Sequence, residues 1–134
     1  MKTGAAAELR DLAQSLVDFG RARGADEVEV SAGDSTEFNV DVRRGKIENL
    51  VEAGARQVGL KVIKDKKTAY ASSSDLSRET LQRLIQRAVE RARLATADEF
   101  AGLPSFSPKD FDIARLKLYD PEVPEIDPAV KVKL

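Results

Sequence analysis

Between residues 58 and 76 the chain alternates, breaks and then prepares a helix. Val58, Leu60 and Val62 fall on one side of a period-two pattern, with Gly59, Lys61 and Ile63 on the other. Asp65-Lys66-Lys67 is a polar interruption of hairpin length, and residues 68–73 resume in small, β-compatible side chains. Upstream, Val28, Val30 and Ala32 alternate with Glu27, Glu29 and Ser31, the pattern of a strand with one wet face. Gly33-Asp34 predicts a turn, after which Phe38, Val40 and Val42 face inward and Asn39 and Asp41 outward. Arg43-Arg44-Gly45-Lys46 predicts a hairpin loop with its glycine at positive φ. Residues 47–53 predict a third strand whose alternation slips at Leu50 and Val51, as a bulge or a two-sided contact would cause. Gly54 then turns the chain into the Val58 strand.

Two helical stripes frame these strands. Leu9, Leu12, Leu16 and Phe19, widened by Ala13 and Val17, recur at steps of three and four and predict a helix over 5–23. Gly24 stands where a helix ends in positive φ, while Gly20 weakens the last turns by up to ~1 kcal/mol relative to alanine. Leu81, Leu84, Ile85, Ala88, Val89, Ala92 and Ala95 form the second stripe. Ser77 is its expected N-cap, with Leu76 and Leu81 at the spacing of a hydrophobic staple. The predicted fold is α+β: helix, five-stranded mostly antiparallel meander, helix. Both helices cover one face, because each has one apolar stripe and the strands have one apolar face.

The character changes after Thr96. All five prolines lie between Pro104 and Pro128, which predicts an extended tail with one short strand near 114–119. Residues 1–97 then form the α+β domain, and 98–134 a linker toward an absent C-terminal domain, the chain being the front part of something longer.

Composition narrows the chemistry. In 134 residues, 34% are charged, yet the net charge is -1, so no global field draws in nucleic acid or an anionic membrane. There is no Cys and no His, which removes thiol chemistry and the usual zinc ligand sets. No apolar run reaches the ~18 residues of a membrane span, and Glu8, Arg10 and Asp11 interrupt any signal-peptide core. A cytoplasmic protein without direct contact to nucleic acid or membrane is expected.

The order of the pieces resembles the N-terminal domain of the TldD/PmbA (TldE) family, long labelled modulators of DNA gyrase. The resemblance rests on Ala25-Asp26-Glu27-Val28-Glu29-Val30, Val42-Arg43-Arg44-Gly45-Lys46-Ile47-Glu48 and Val58-Gly59-Leu60-Lys61-Val62-Ile63. It continues through Ala71-Ser72-Ser73-Ser74-Asp75-Leu76-Ser77, Ala92-Arg93-Leu94-Ala95, Phe100-Ala101-Gly102-Leu103-Pro104 and Leu118-Tyr119-Asp120-Pro121. Where the family has glycines around the last hairpin, this chain has Lys66 and Ala69, so Lys66 or Lys67 is expected at positive φ. The resemblance implies a longer, two-domain metallopeptidase acting on unfolded or modified peptides. Its zinc sits on a His-Glu-x-x-x-His helix of the C-terminal domain; a metal-less paralogue pairs with it. Without histidine, this chain carries no catalytic, cofactor or metal residue of that kind. It would supply scaffold, chamber wall and subunit interface, its partners being a peptide substrate or a paralogous subunit in a homo- or heterodimer. The alternative is a protein-binding module of the metal-less paralogue with no hydrolytic role.

Four residues are candidate peptide or subunit contacts: Gly59, Arg43, Arg44 and Tyr70. Gly59 inside a strand marks a bulge or a place where another backbone approaches. Arg43, Arg44 and Lys46 gather at a hairpin tip, either as a charged cap that protects solubility or as a contact. Arg83, Arg87 and Arg91 recur every four residues, as a solvated helix face or a stripe for an acidic partner. Glu48 and Glu52 lie ~13 Å apart at strand rise, too far for a ~5–10 Å catalytic carboxylate pair.

Overall fold

The computed structural model describes residues 3–105 and 113–133. The first apolar stripe winds Thr3–Ala22 into helix α1. Its end is a Schellman motif. Gly24 takes φ 96°, its N–H donates to the Arg21 carbonyl, and Ala25 N–H reaches back to the Gly20 carbonyl. Gly20 does more than weaken the helix: it is buried, and a Cβ there would stand 2.9 Å from Cγ2 of Val28 and 3.4 Å from Cγ2 of Ile85. The glycine is the point of closest approach between the helix and the sheet.

Among the described residues three strands follow, not five. Strand β1 runs Glu27–Arg43, β2 Lys46–Lys64 and β3 Lys67–Ser73, antiparallel in the order β1-β2-β3. The turns predicted at Gly33-Asp34 and Gly54 do not exist. Gly33 pairs with Gln57, Asp34 with Arg56 and Thr36 with Gly54, so both chains pass the glycines together and stay in the ladder. Neither glycine has positive φ, and Arg56 Nε donates to Asp34 across the pair at 2.9 Å. A glycine permits a turn without forcing one; here the partner strand satisfies the backbone and extension wins. The expected bulge does occur, two residues from the slip at Leu50: the register shifts between Asp41 and Val42 and leaves Glu48 outside the ladder.

The two hairpins share one turn chemistry. Arg44 and Gly45 (φ 51° and 74°) close β1 to β2, and Asp65 and Lys66 (φ 51° and 60°) close β2 to β3. Two consecutive positive φ values match the twist of the flanking strands. Two bonds hold the non-glycine Lys66 there, and a third holds its neighbour Asp65. Asp98 N–H donates to its carbonyl at 2.8 Å, its Nζ donates to the Ala101 carbonyl at 2.9 Å, and Asp65 N–H donates to Asp26 at 2.7 Å. Asp26 also accepts from Lys64 Nζ at 2.9 Å. The Asp65 amide first, and Lys64 second, hold the Asp26 carboxyl below the usual aspartate range, and Asp26 in turn pushes Lys64 up.

Helix α2, Arg78–Leu94, lies over β2 and β3, while α1 lies over β1 and touches α2. Both helices share one sheet face, as the stripes predicted. Val28, Val58, Leu60 and Val62 meet Leu16, Leu81, Ile85, Ala88, Val89 and Ala92 in a single core. The N-cap position is Ser77, yet its hydroxyl caps nothing. Asp75 acts instead, accepting from Ser77 N–H at 2.8 Å and from the Thr80 hydroxyl at 2.7 Å. These donors lower the Asp75 pKa, the Ser77 amide contributing most. The Asp75 contribution is therefore complete above the ordinary aspartate value and lost as pH falls through the lowered folded value. Asp75→Ala is expected to lower the Tm at pH 7 more than Ser77→Ala, with the gap closing in strong acid. Equal shifts at pH 7 would refute this assignment.

The described parts of the tail also differ from an extended arm. The predicted strand near 114–119 is a 3₁₀ turn at Ile113–Leu116 followed by irregular chain. A second 3₁₀ turn spans Val123–Glu125, and helix α3 spans Pro128–Lys131 behind an Asp127 side-chain cap. Proline at the first helical positions favours such short turns. Pro108 and the rest of 106–112 lie outside the described residues.

Candidate functional site

Among the described residues, the helices packed on the sheet lie on one face and leave the other without a helical layer. Ile63 belongs to that face by parity and is nonetheless 1% exposed. We ascribe its cover to residues 97–103, which cross this end of the sheet: Leu103 N–H donates to Glu27 at 2.7 Å and Ala97 bridges to Lys67. Beyond this cover, no described residue closes the face. Ser31, Gly59 and Ser72 form one cross-strand row, and Glu29, Lys61 and Tyr70 the next. Together they line a depression of about 410 Å³.

Gly59 is the floor of that depression because it has no side chain. A Cβ there would meet the Ser31 hydroxyl oxygen at 2.7 Å, a clash that a serine rotamer change relieves. Tyr70 is 66% exposed, and its carbonyl, on the outer edge of β3, accepts from Arg91 at 3.1 Å. Gly59 and Tyr70 are thus brought together. The site offers a carboxylate, an ammonium, a phenol and two hydroxyls around a bare backbone. That set can hold a peptide by hydrogen bonds and an aromatic contact, but it lacks an imidazole or thiolate to activate a nucleophile.

Arg43 and Arg44 lie elsewhere. The merged β1 and β2 project a two-stranded arm past the helices, and both arginines cap its tip. Arg43 is twelve residues along β1 from Ser31, about 40 Å at strand rise. It pairs with Glu48 at 3.3 Å, both side chains being mostly exposed, a contact worth about 0–1 kcal/mol. The Arg83–Arg87–Arg91 stripe stays a helix face: Arg83 approaches Glu79 at 3.8 Å and Arg91 ties to β3. Glu48, displaced by the bulge, and Glu52, opposite Phe38, form no carboxylate pair.

Sequence reasoning did not anticipate a larger cleft of about 1380 Å³ between the arm and the tail. Phe38 and Val40 form its arm side; Leu118, Tyr119, Val123 and Ile126 form its tail side. Lys131 lies over the Phe38 ring at 5.1 Å. The only signal in the sequence was the inward parity of Phe38 and Val40 with no helix left to cover them. Among the described residues no three acidic side chains converge on a metal position, and the chain has no His or Cys. The residues present do not fit a zinc centre. Among the described residues no helix is long and apolar enough to cross a membrane.

Residues 28–92, from the first buried valine of β1 to the last buried alanine of α2, match the family model of PmbA/TldA metallopeptidase domain 1. The chain belongs to the PmbA/TldD family. It is 30% identical over 108 residues to Metalloprotease PmbA of Escherichia coli O157:H7, covering 81% of this chain and 24% of that protein. A PmbA homologue of Haemophilus influenzae is 27% identical over 127 residues, covering 95% and 28%. The chain therefore spans about a quarter of the length of the curated relatives it matches. Two solved structures share the fold. TldE from Thermococcus kodakarensis has a TM-score of 0.63 at 23% identity, covering 83% of this chain and 26% of that one. BT3649 of Bacteroides thetaiotaomicron, described as a candidate modulator of DNA gyrase, has 0.72 at 22% identity, covering 94% and 29%.

Proposed function

We propose that this chain is the N-terminal, non-catalytic domain of a TldD/PmbA-type metallopeptidase subunit acting in the cytoplasm. It supplies scaffold, a wall of the peptide chamber and part of a subunit interface. The observation that carries the reading is the open sheet face around Gly59, a polar surface without catalytic groups on a metallopeptidase first domain. Zinc and its ligands, on this reading, come from outside this chain. An unfolded or modified peptide lies along the rows Ser31–Gly59–Ser72 and Glu29–Lys61–Tyr70.

A second reading has support in the names of the relatives, PmbA and TldE. By the family resemblance these point to the paralogue without metal, whose domain binds a partner subunit and hydrolyses nothing. Gly59→Leu tests the shared claim that this face receives peptide. The substitution fills the depression and leaves the core on the opposite face untouched. Binding of a labelled unfolded peptide, followed by fluorescence anisotropy, is expected to weaken at least about tenfold with the far-UV CD spectrum unchanged. Unaltered binding by a folded Gly59→Leu chain refutes the assignment.

A further inference from the structure

The arm carries two complementary surfaces. At its tip, Arg43, Arg44 and Lys46 surround two apolar side chains, Val42 and Ile47, that are 62% and 48% exposed. Two carboxylates lie within two residues of these cations: Glu48 is held by Arg43, and Asp41 accepts from Asn49. Nearer its root, the arm contributes to the 1380 Å³ cleft, whose walls are the apolar residues named above. Five carboxylates line that cleft: Asp34, Glu37, Glu52, Asp120 and Glu125. Asp34 is bonded to Arg56, which leaves four against Lys117 and Lys131. Among the described residues, Glu37, Glu52 and Glu125 make no side-chain hydrogen bond or ion pair. An apolar, cationic hairpin tip and an apolar, anionic cleft thus occur on one chain.

They cannot meet within one copy. Arg44 is seven residues along β1 from Glu37, about 23 Å at strand rise, on a strand paired throughout. Two arms laid antiparallel about a two-fold axis bring each tip to the root of the other. The spacing between tip and cleft is the same in both copies, so both contacts close together in an isologous dimer. We propose that the arm tip of one copy docks into the arm–tail cleft of a second copy. Val42 and Ile47 enter against Phe38 and Val123, and Arg44 and Lys46 face Glu37, Glu52 and Glu125. This rests on the reading of the chain as an interface-forming domain and names the surfaces that form the interface.

The test is charge exchange, read by sedimentation velocity over a concentration series. The native chain is expected to dimerise, more weakly as salt rises. Arg44→Glu/Lys46→Glu gives an acidic tip against an acidic cleft, and Glu37→Lys/Glu52→Lys a basic tip against a basic cleft. Each variant alone is expected to raise the dimer dissociation constant at least about tenfold, because like charges then meet in a partly desolvated contact. An equimolar mixture restores both contacts and hence the dimer. All four residues are exposed, so the melting temperatures should match that of the native chain. A dimer indifferent to both reversals, or one not rescued by mixing, overturns the tip–cleft contact and leaves the interface reading standing. A monomer at every concentration overturns the contact and counts against that reading too.

Discussion

Ile85→Ala is expected to remove about 2–5 kcal/mol of folding stability, the range for emptying a buried isoleucine. Ile85 is 0% exposed and lies where α2, α1 and the sheet converge: its Cγ2 approaches Gly20 of α1, and the core valines of β1 and β2 lie below. The loss has two parts. The deleted carbons forfeit their transfer from water, and the cavity forfeits contacts because rigid neighbours on three elements cannot all collapse into it. Against a total stability of roughly 5–15 kcal/mol this is a large fraction. The urea midpoint should fall without a change in slope. Leu94→Ala is the control. Leu94 is on the same helix but 88% exposed, and its truncation should stay within about 0.5 kcal/mol. Similar losses at the two positions would contradict the packing described above.

Gly20→Val sets two effects against each other. Helix propensity favours every residue except proline over glycine, by up to about 1 kcal/mol for alanine. Packing opposes it, because the first added carbon already falls 2.9 Å from Val28 Cγ2, inside any ordinary carbon contact. The two further carbons of valine press on Val28 or Ile85. Overpacking of this kind costs typically about 1–3 kcal/mol. Gly20 also offers the carbonyl that accepts from Ala25 in the helix terminator, so displacing it loosens the cap as well. The net expectation is a loss of about 2 kcal/mol, with packing the winner. Val28→Ala supplies the cross-check. It destabilises by itself, but combined with Gly20→Val it makes room, so the double variant should be more stable than the sum of the singles by about 1 kcal/mol or more. Strict additivity would place the clash elsewhere.

The parts that came through in the sequence are those set by period. The stripes Leu12–Leu16 and Leu81–Ile85–Ala88–Ala92 predicted both helices and their shared face, and Val58, Leu60 and Val62 predicted the inner side of β2. Local chemistry predicted positive φ at Gly45 and the family resemblance predicted it at Lys66 or Lys67, while Arg44 and Asp65 adopt it without a signal of their own. All of the failures except the helix cap needed partners distant in sequence. Gly33 and Gly54 read as turns because a single strand does not reveal that its neighbour continues alongside. Ser77 read as the cap because nothing local ranks it below Asp75, which reaches Ser77 N–H and Thr80 together. Gly20 read as a weakness because its neighbours, Val28 and Ile85, belong to other elements.

For the site, Gly59 was legible as a glycine in a strand, and register then placed Tyr70 beside it. Arg43 and Arg44 could not be located relative to them until two predicted turns became one straight arm. The cleft joins Phe38 to residues beyond 116, and no pattern within either segment encodes that meeting.

The proposal is that this chain helps to shape a peptide chamber without cutting peptides itself. Its most direct test is peptide hydrolysis by the purified 134-residue chain, with and without a chelator, alongside its zinc content. The account predicts no chelator-sensitive cleavage and far less than one zinc per chain. Cleavage that a chelator abolishes and zinc restores would contradict it.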